Sequence, residues 1–108
     1  MSDAIVVFMT AASADEARRI AERLIERQLA ACVQILPEIE SVYRWKSEVQ
    51  REKEVLLLAK TTDGRFDELE REVRAMHSYE TPEIVAVPAS RISEPYRAWL
   101  SDSISFTA

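Results

Sequence analysis

The chain contains a single histidine, His77, in the segment M-H-S-Y-E-T-P-E. An imidazole can carry a proton or bind a metal ion, so His77 is the first candidate for chemistry. The ordinary explanation is favoured on spacing alone, because a histidine at the C-terminal end of a helix complements the helix dipole. No second histidine follows four residues later, so the familiar spacing of a zinc site is absent.

Sulfur-bearing side chains could add ligands to such a site. Met9 and Met76 lie in apolar stripes, where methionine is first of all a core filler, although a thioether also binds soft Cu(I). Cys32 lies at the apolar start of a strand, and nothing beside it in A-A-C-V-Q would activate a thiol. Each of these residues therefore has an ordinary structural explanation beside the chemical one.

Aromatic rings and one lysine are the remaining candidates for ligand binding. The rings are those of Tyr43, Trp45, Tyr79 and Trp99. Aromatic side chains more often anchor cores and interfaces than stack on a ligand. Lys60 could bind an anion or act as a base, although a lysine at a strand terminus usually extends into solvent. The sequence has no phosphate loop, dinucleotide fingerprint, nucleophile elbow or catalytic triad pattern, and we expect no enzyme.

Composition limits the partners. A chain of 108 residues, 47% hydrophobic and 31% charged, is expected to form one domain over residues 1–108. The net charge of −5 argues against nucleic acid, and the aliphatic third strand E-K-E-V-L-L-L-A-K argues against an RNA-recognition domain. One cysteine excludes an internal disulfide and favours a reducing cytoplasm. Without a leader pattern or an apolar run of spanning length, we expect no membrane partner.

Periodicity predicts the first strand and two helices. Ala4–Met9 is apolar at every position, which is typical of a central strand covered on both faces. A helix over about Ala14–Gln28 follows, with Ser13 beginning a capping box. A second helix is predicted to start at the N-cap Asp63 and to end near His77, before a turn that contains proline.

The stretch Leu29–Thr61 predicts two long antiparallel strands. Apolar alternation runs over Ala31–Trp45, the polar Lys46–Glu48 breaks it, and a second run returns over Val49–Ala59. Fifteen extended residues span about 50 Å, whereas a domain of this size is about 30–35 Å across. The hairpin should therefore overhang its own domain and need another surface to cover it, most simply a second copy of the chain.

Two further elements complete the order. Glu83–Ala89 is predicted to be a fourth strand, and a short helix follows it. Pro37 and Pro88 mark the second and fourth strands as edges, because proline cannot donate to the ladder. The alternation of Ile104 and Phe106 suggests a short extra strand. The order β-α-β-β-α-β with a C-terminal helix predicts an α+β, ferredoxin-like fold with strands one and three in the centre, a fold that hosts many unrelated functions.

Five ordered segments carry a family resemblance. They are L-A-A-C-V-Q-I (29–35), S-V-Y-R-W (41–45), L-A-K-T (58–61), H-S-Y-E-T-P-E-I (77–84) and Y-R-A-W-L (96–100). Over nearly the whole chain they resemble the CutA divalent-cation tolerance family. The resemblance implies a ferredoxin-like homotrimer, built like the PII signalling proteins, with a cytoplasmic role in tolerance to divalent metals and above all to copper.

The resemblance also implies where ligands would lie. Metal ligands proposed in a bacterial relative align with Met9, Met76 and His77. This set suits Cu(I) better than a divalent cation, so we expect weak copper binding, with other divalent cations as alternatives.

The likeness to PII proteins gives a second hypothesis, a sensor or scaffold that binds a small anionic ligand in a cleft between subunits. Its candidate residues are Cys32, Trp45, Lys60, Tyr79 and Glu80. A third hypothesis is purely structural, in which the stability of the trimer is what the cell uses.

Ser47 departs from the family pattern, which commonly has glycine in the hairpin turn as W-x-G. A residue other than glycine pays about 1 kcal/mol or more for a positive φ. We therefore expect a changed turn at Ser47.

Overall fold

The computed structural model describes residues 3–105, which form a four-stranded antiparallel sheet and three α-helices. In chain order the elements are β1 (Ala4–Ala11), α1 (Ala14–Glu26), β2 (Cys32–Trp45), β3 (Glu48–Thr62), α2 (Phe66–Met76), β4 (Ile84–Pro88) and α3 (Glu94–Ser103). The predicted α+β class and the order β-α-β-β-α-β followed by a helix are confirmed. No helix within residues 3–105 is long and apolar enough to cross a bilayer.

The sheet has the strand order β2-β3-β1-β4. The predicted central places of the first and third strands are confirmed, and the two proline-bearing strands lie at the edges as predicted. A bulge interrupts the pairing of β2 with β3 between Leu36 and Ile39, around Pro37. This irregularity follows from the missing amide hydrogen of proline, which an edge strand tolerates only at such a position.

The hydrophobic core lies between one face of the sheet and the helices α1 and α2. Alternate residues of β1 and β3 point into it, among them Val7, Met9, Leu57 and Ala59, and all four are fully buried. Helix α1 contributes an apolar stripe with period near 3.6, formed by Ala17, Ile20, Ala21 and Leu24.

The opposite face of the sheet carries apolar side chains that neither α1 nor α2 covers. We call it the open sheet face, and it comprises Val6, Phe8, Leu36, Leu56, Leu58, Val85 and Val87. The strand register places these residues on one side, since Val6 pairs with Val87, Phe8 with both Val85 and Leu58, and Leu36 with Leu56. None of them is buried, and Val85 is 51% exposed.

The helix ends follow the predicted signals in part. Ser13 caps α1 as predicted, and its Oγ accepts a hydrogen bond of 3.1 Å from the Glu16 amide. The predicted N-cap Asp63 is wrong, because residues 63–65 form a 3₁₀ turn and α2 begins at Phe66. The Asp63 amide donates to the Asp3 carbonyl at 2.8 Å, which keeps this residue tied to the end of β1. The predicted end of α2 at His77 is confirmed, since His77 is its extended C-cap.

The predicted tail strand is wrong at Ile104. This residue is buried and forms the C-cap of α3 instead of pairing with a strand. The other residue of that prediction, Phe106, lies outside the described residues.

The hairpin overhangs the rest of the fold, as predicted. β1 pairs with β3 only from Val55 onward, so Glu48–Glu54 has β2 as its single neighbour in the sheet. The molecule measures 47 × 27 × 22 Å, with a radius of gyration of 14.5 Å. A globular domain of this length is expected near 13 Å, and the excess reflects the projecting ribbon.

The turn at the hairpin tip does not change to avoid a positive φ, so the expectation for Ser47 is wrong. Lys46 and Ser47 have φ values of 50° and 68°, the left-handed pair that a two-residue hairpin turn requires. The right-handed twist of the two strands demands this turn, and the sequence supplies it without glycine. Arg44 stabilises it by donating from Nη1 to the Ser47 carbonyl at 3.3 Å.

Replacing Ser47 by glycine should raise the free energy of unfolding by about 0.5–1 kcal/mol, because glycine pays no steric penalty for the left-handed conformation. Urea denaturation measures the change. Ser41→Gly is the matched control, since Ser41 lies in extended β2 and glycine should destabilise there by about the same amount. Destabilisation by Ser47→Gly would contradict this description of the turn.

Candidate functional site

The His77 ring lies where α2 ends, and its side chain is fully buried. Its Nε2 is 2.8 Å from the Thr10 carbonyl oxygen, and its Nδ1 is 3.0 Å from the Tyr79 backbone nitrogen. A carbonyl oxygen can only accept and an amide N–H can only donate. The ring therefore carries its hydrogen on Nε2 and accepts at Nδ1, which is the neutral tautomer.

This arrangement leaves neither ring nitrogen of His77 free for a metal ion. A metal at Nδ1 would have to displace the Tyr79 amide, and a metal at Nε2 would have to displace the proton bound toward Thr10. Residues 3–105 contain no group of three His, Cys, Asp or Glu side chains placed to hold a metal ion. The site in this conformation does not fit a divalent cation.

Glu16 organises the contacts around His77. Its carboxylate is 4% exposed and accepts hydrogen bonds from the Ala12 amide at 3.0 Å, the Ser78 amide at 2.7 Å and the Ser78 hydroxyl at 3.0 Å. Its Oε2 also lies 3.8 Å from Nδ1 of His77. Burial alone would raise the pKa of Glu16, but the hydrogen bonds outweigh burial and hold that pKa below its usual value.

Tyr79 links this group to the long hairpin. Its hydroxyl donates to Oε2 of Glu54 at 2.9 Å, and its ring lies 4.8 Å from the His77 ring, centroid to centroid. Burial, followed by the bond to Glu54 and its negative charge, raises the pKa of Tyr79. The phenol thus remains a protonated donor at neutral pH. Glu54 itself is only 9% exposed, so this bond holds a buried carboxylate in place.

We call Thr10, Glu16, Glu54, His77, Ser78 and Tyr79 the His77 cluster. It joins β1, α1 and β3 through the turn that follows α2. No buried side-chain nitrogen or oxygen within residues 3–105 lacks a hydrogen-bond partner, so the cluster presents no orphan polar atom toward a ligand. Its evident chemical capacity is to fix the turn against the sheet.

Met9 and Met76 share one core beside this cluster. Met9 is fully buried on the helix-facing side of β1, and Met76 packs against the same group of buried residues. Both fill the core, as the ordinary explanation predicted. Met76 directly precedes His77, and two thioethers in one core match the donor type that Cu(I) prefers.

The candidates for an anion cleft do not form one group within a chain. Cys32 and Lys60 are direct cross-strand partners, and the Lys60 ammonium donates to Oε1 of Gln34. Tyr96 lies beside them, where burial and the neighbouring Cys32 thiol raise the pKa of Tyr96. Its ring packs 5.4 Å from that of Trp99, centroid to centroid. Sequence reasoning missed Gln34 and Tyr96, which only the register and the placement of α3 bring to this position.

Tyr79, Trp45 and Glu80 lie elsewhere. Tyr79 binds Glu54, six residues along β3 from Lys60, a separation of about 20 Å in an extended strand. Trp45 pairs with Glu48, about 20 Å farther along. Glu80 lines a shallow groove of about 550 Å³ on the outer side of α2, together with Asp67, Glu70, Arg71, Arg74 and Ala75. One chain therefore places these candidates in separate locations, and a common cleft would need more than one copy.

Sequence comparison identifies relatives over nearly the whole chain. A family model described as CutA1 divalent ion tolerance protein matches residues 5–103. The chain is 46% identical to the divalent-cation tolerance protein CutA of Thermus thermophilus, over 91% of this chain and 95% of that protein. It is 39% identical to a chloroplastic CutA protein of Arabidopsis thaliana, over 92% of this chain but 54% of that protein.

The fold agrees with the sequence matches. The structure of the periplasmic divalent cation tolerance protein CutA from Archaeoglobus fulgidus superposes with a TM-score of 0.92 at 38% identity, over 94% of this chain and 99% of that one. The family match, the full-length Thermus relative and this superposition agree, and the resemblance noted in the sequence is confirmed. The chain belongs to the CutA1 divalent ion tolerance protein family.

Proposed function

We propose that this chain serves divalent-cation tolerance as a non-catalytic homotrimer in the cytoplasm. Family membership supports the link to divalent cations. The single free cysteine supports a reducing compartment, and the number three comes from the likeness to the CutA family.

The open sheet face is the observation that carries self-association. Val85, Val87 and Leu36 are 51%, 40% and 41% exposed, and they are continuous with Val6, Phe8 and two leucines of β3. A contiguous apolar patch of this kind on a soluble protein marks an interaction site. A second copy of the chain is the simplest partner to cover this face, because every copy has the same exposed apolar face and the same two unpaired sheet edges, β2 and β4.

Growth of cells under copper stress tests this proposal. In a host that lacks its own family member, the wild-type chain should restore growth in copper-containing medium, and Val87→Asp on the open sheet face should not. Ile25→Asp is the matched control, because Ile25 is a similarly exposed apolar residue on the outer side of α1. Restoration of growth by Val87→Asp at equal protein level would contradict a role for the assembled form.

Weak binding of Cu(I) is a second candidate function, favoured by the common core of Met9 and Met76 next to His77. When bound there, copper would be held by two thioethers and one imidazole nitrogen. The cost of releasing a His77 hydrogen bond, about 1–3 kcal/mol for a buried group, is the reason that we expect low affinity.

Titration of the purified chain with Cu(I) under anaerobic conditions tests this site. Met76→Leu preserves side-chain volume and should weaken Cu(I) binding at least about tenfold, as should His77→Ala. Cu(II) should bind no more tightly to the wild type than to the variants. Equal Cu(I) affinity in the wild type and both variants would remove these residues from the account.

A further inference from the structure

The ammonium group of Lys60 is a partly buried cation with no carboxylate beside it. It donates to Oε1 of Gln34 and forms no ion pair among residues 3–105. Its cross-strand partners on the two sides, Val6 and Cys32, are uncharged. A neutral amide oxygen offsets only part of the cost of taking a charge out of water. A negatively charged ligand would offset the rest.

More hydrogen-bond donors lie around this cation. An ammonium carries three N–H groups and a glutamine amide carries two. Lys60 uses one of its three on Gln34, and the exposed amide nitrogen of Gln34 has no partner within residues 3–105. Burial and the neighbouring Cys32 thiol raise the pKa of Tyr96, so its phenol stays protonated at neutral pH. Donors therefore dominate this part of the surface.

Helix α3 places an aromatic wall beside these donors. Tyr96 and Trp99 are three residues apart on one side of the helix, and their rings lie 5.4 Å apart, centroid to centroid. Trp99 is 48% exposed, and its indole N–H has no partner in the described part of the chain. The carboxylate of Glu94, at the start of the same helix, is bound by Arg97 at 2.7 Å. An anion approaching the wall thus meets a neutralised acid.

We propose that Cys32, Gln34, Lys60, Tyr96 and Trp99 form a binding site, the Lys60 site, for a small aromatic carboxylate. The carboxylate accepts hydrogen bonds from Lys60 and Gln34, and the flat ring packs against Trp99. Ligand sites commonly combine an aromatic wall with a few polar groups that fix the orientation of the ligand.

Charge decides between a carboxylate and a phosphate at the Lys60 site. One ammonium balances the single negative charge of a carboxylate. A phosphate monoester carries about −1.5 to −2 charges at neutral pH, so part of its charge would stay uncompensated. The chain itself has a net charge of −5, which disfavours that excess.

The Lys60 site lies within one chain and is separate from the metal candidates. Cys32 and Gln34 belong to the edge strand β2, so the site opens at the edge of the sheet. It shares no residue with the His77 cluster or with the two core methionines. Binding of the carboxylate therefore requires neither copper nor a cleft between subunits.

Titration with sodium benzoate, followed by tryptophan fluorescence, tests the Lys60 site. The chain has two tryptophans, so the background variant Trp45→Phe leaves Trp99 as the only emitter. Benzoate should quench this emission saturably, with a dissociation constant of about 1 mM or lower. Benzamide has the same shape without the charge and should bind at least about tenfold more weakly. Phenyl phosphate should also bind more weakly than benzoate.

Lys60→Gln in the same background should raise the dissociation constant for benzoate at least about tenfold. Lys53→Gln is the matched control, because it removes the same charge from the same strand and should leave benzoate binding unchanged. The comparison of benzoate with benzamide needs no change at Lys60, so it decides the question even where Lys60→Gln folds poorly.

Three results would each overturn the Lys60 site. They are the absence of saturable quenching by benzoate, equal affinities for benzoate and benzamide, and equal losses in Lys60→Gln and Lys53→Gln. Tighter binding of phenyl phosphate than of benzoate would overturn the choice of a carboxylate. None of these results depends on copper tolerance or on the mass of the assembly, so the function proposed above is tested separately.

Discussion

Replacing Glu16 by alanine is expected to lower the free energy of unfolding by about 3 kcal/mol. The carboxylate accepts from two backbone amides and one hydroxyl while almost fully buried, so its removal leaves donors of Ala12 and Ser78 without a partner. Hydrogen bonds to a charged group contribute about 1.5–3 kcal/mol each, and unpaired buried donors cost about 1–3 kcal/mol. These hydrogen bonds are only partly buried, so water reaches the freed donors and keeps the loss well below that sum. Urea denaturation at neutral pH measures the loss.

Glu22→Ala is the matched control, because Glu22 lies exposed on the same helix and should change stability by less than about 0.5 kcal/mol. Equal urea midpoints for Glu16→Ala and Glu22→Ala would show that the contacts of Glu16 do not hold the turn.

The same carboxylate predicts a pH dependence. The pKa of Glu16 is lower in the folded chain than its ordinary value of 4.5, so the folded state favours the ionised form. Its contribution to stability is therefore fully present above the unfolded pKa and is lost as pH falls through the folded pKa. The difference in unfolding free energy between the wild type and Glu16→Gln should accordingly shrink below pH 4.5. A difference that grows on acidification would contradict the sign of this shift.

Replacing Val87 by aspartate is expected to dissociate the assembly while the single chain stays folded. Val87 is 40% exposed on edge strand β4, so a carboxylate there remains in water in the isolated chain. In the proposed assembly the same carboxylate would be buried against the open sheet face of a neighbour without a partner. Burial of an unpaired charge costs several kcal/mol, and about 3 kcal/mol corresponds to more than a 100-fold rise in the dissociation constant. Sedimentation velocity at micromolar concentration measures the change.

Ile25→Asp again provides the comparison. Ile25 is 43% exposed, close to the value for Val87, but lies on α1 and away from the sheet. The variant should sediment as the wild type does. Equal behaviour of the two aspartate variants would show that the open sheet face is not the contact surface.

The fold could be predicted because its main signals are local. Continuous apolar runs at Ala4–Met9 and Val55–Ala59 favour central strands, and the prolines of β2 and β4 favour edges. The overhang of the hairpin also follows from its length, because its strands, at about 3.3 Å per residue, are longer than a domain of this size is wide. The start of α2 was missed because Asp63 resembles an N-cap, whereas its amide bonds to the distant Asp3 carbonyl and residues 63–65 form a 3₁₀ turn.

The candidate site could be predicted less well, because its contacts join distant residues. The capping box showed Glu16 as a helix-start residue, but its Ser78 partner is 62 positions away. His77 donates from Nε2 to the Thr10 carbonyl across 67 positions, and no spacing rule predicts that this bond occupies the ring nitrogen. The one usable signal was an acidic residue at the start of a buried helix followed, far downstream, by a polar turn ending in proline.

Self-association is the central claim, and the molar mass of the wild-type chain in solution tests it most directly. Sedimentation equilibrium at micromolar concentration and physiological salt should give about 37 kDa, three times the 12.3 kDa of one chain. A mass near 12.3 kDa that persists as concentration rises would contradict the claim, and with it the proposed role of the open sheet face.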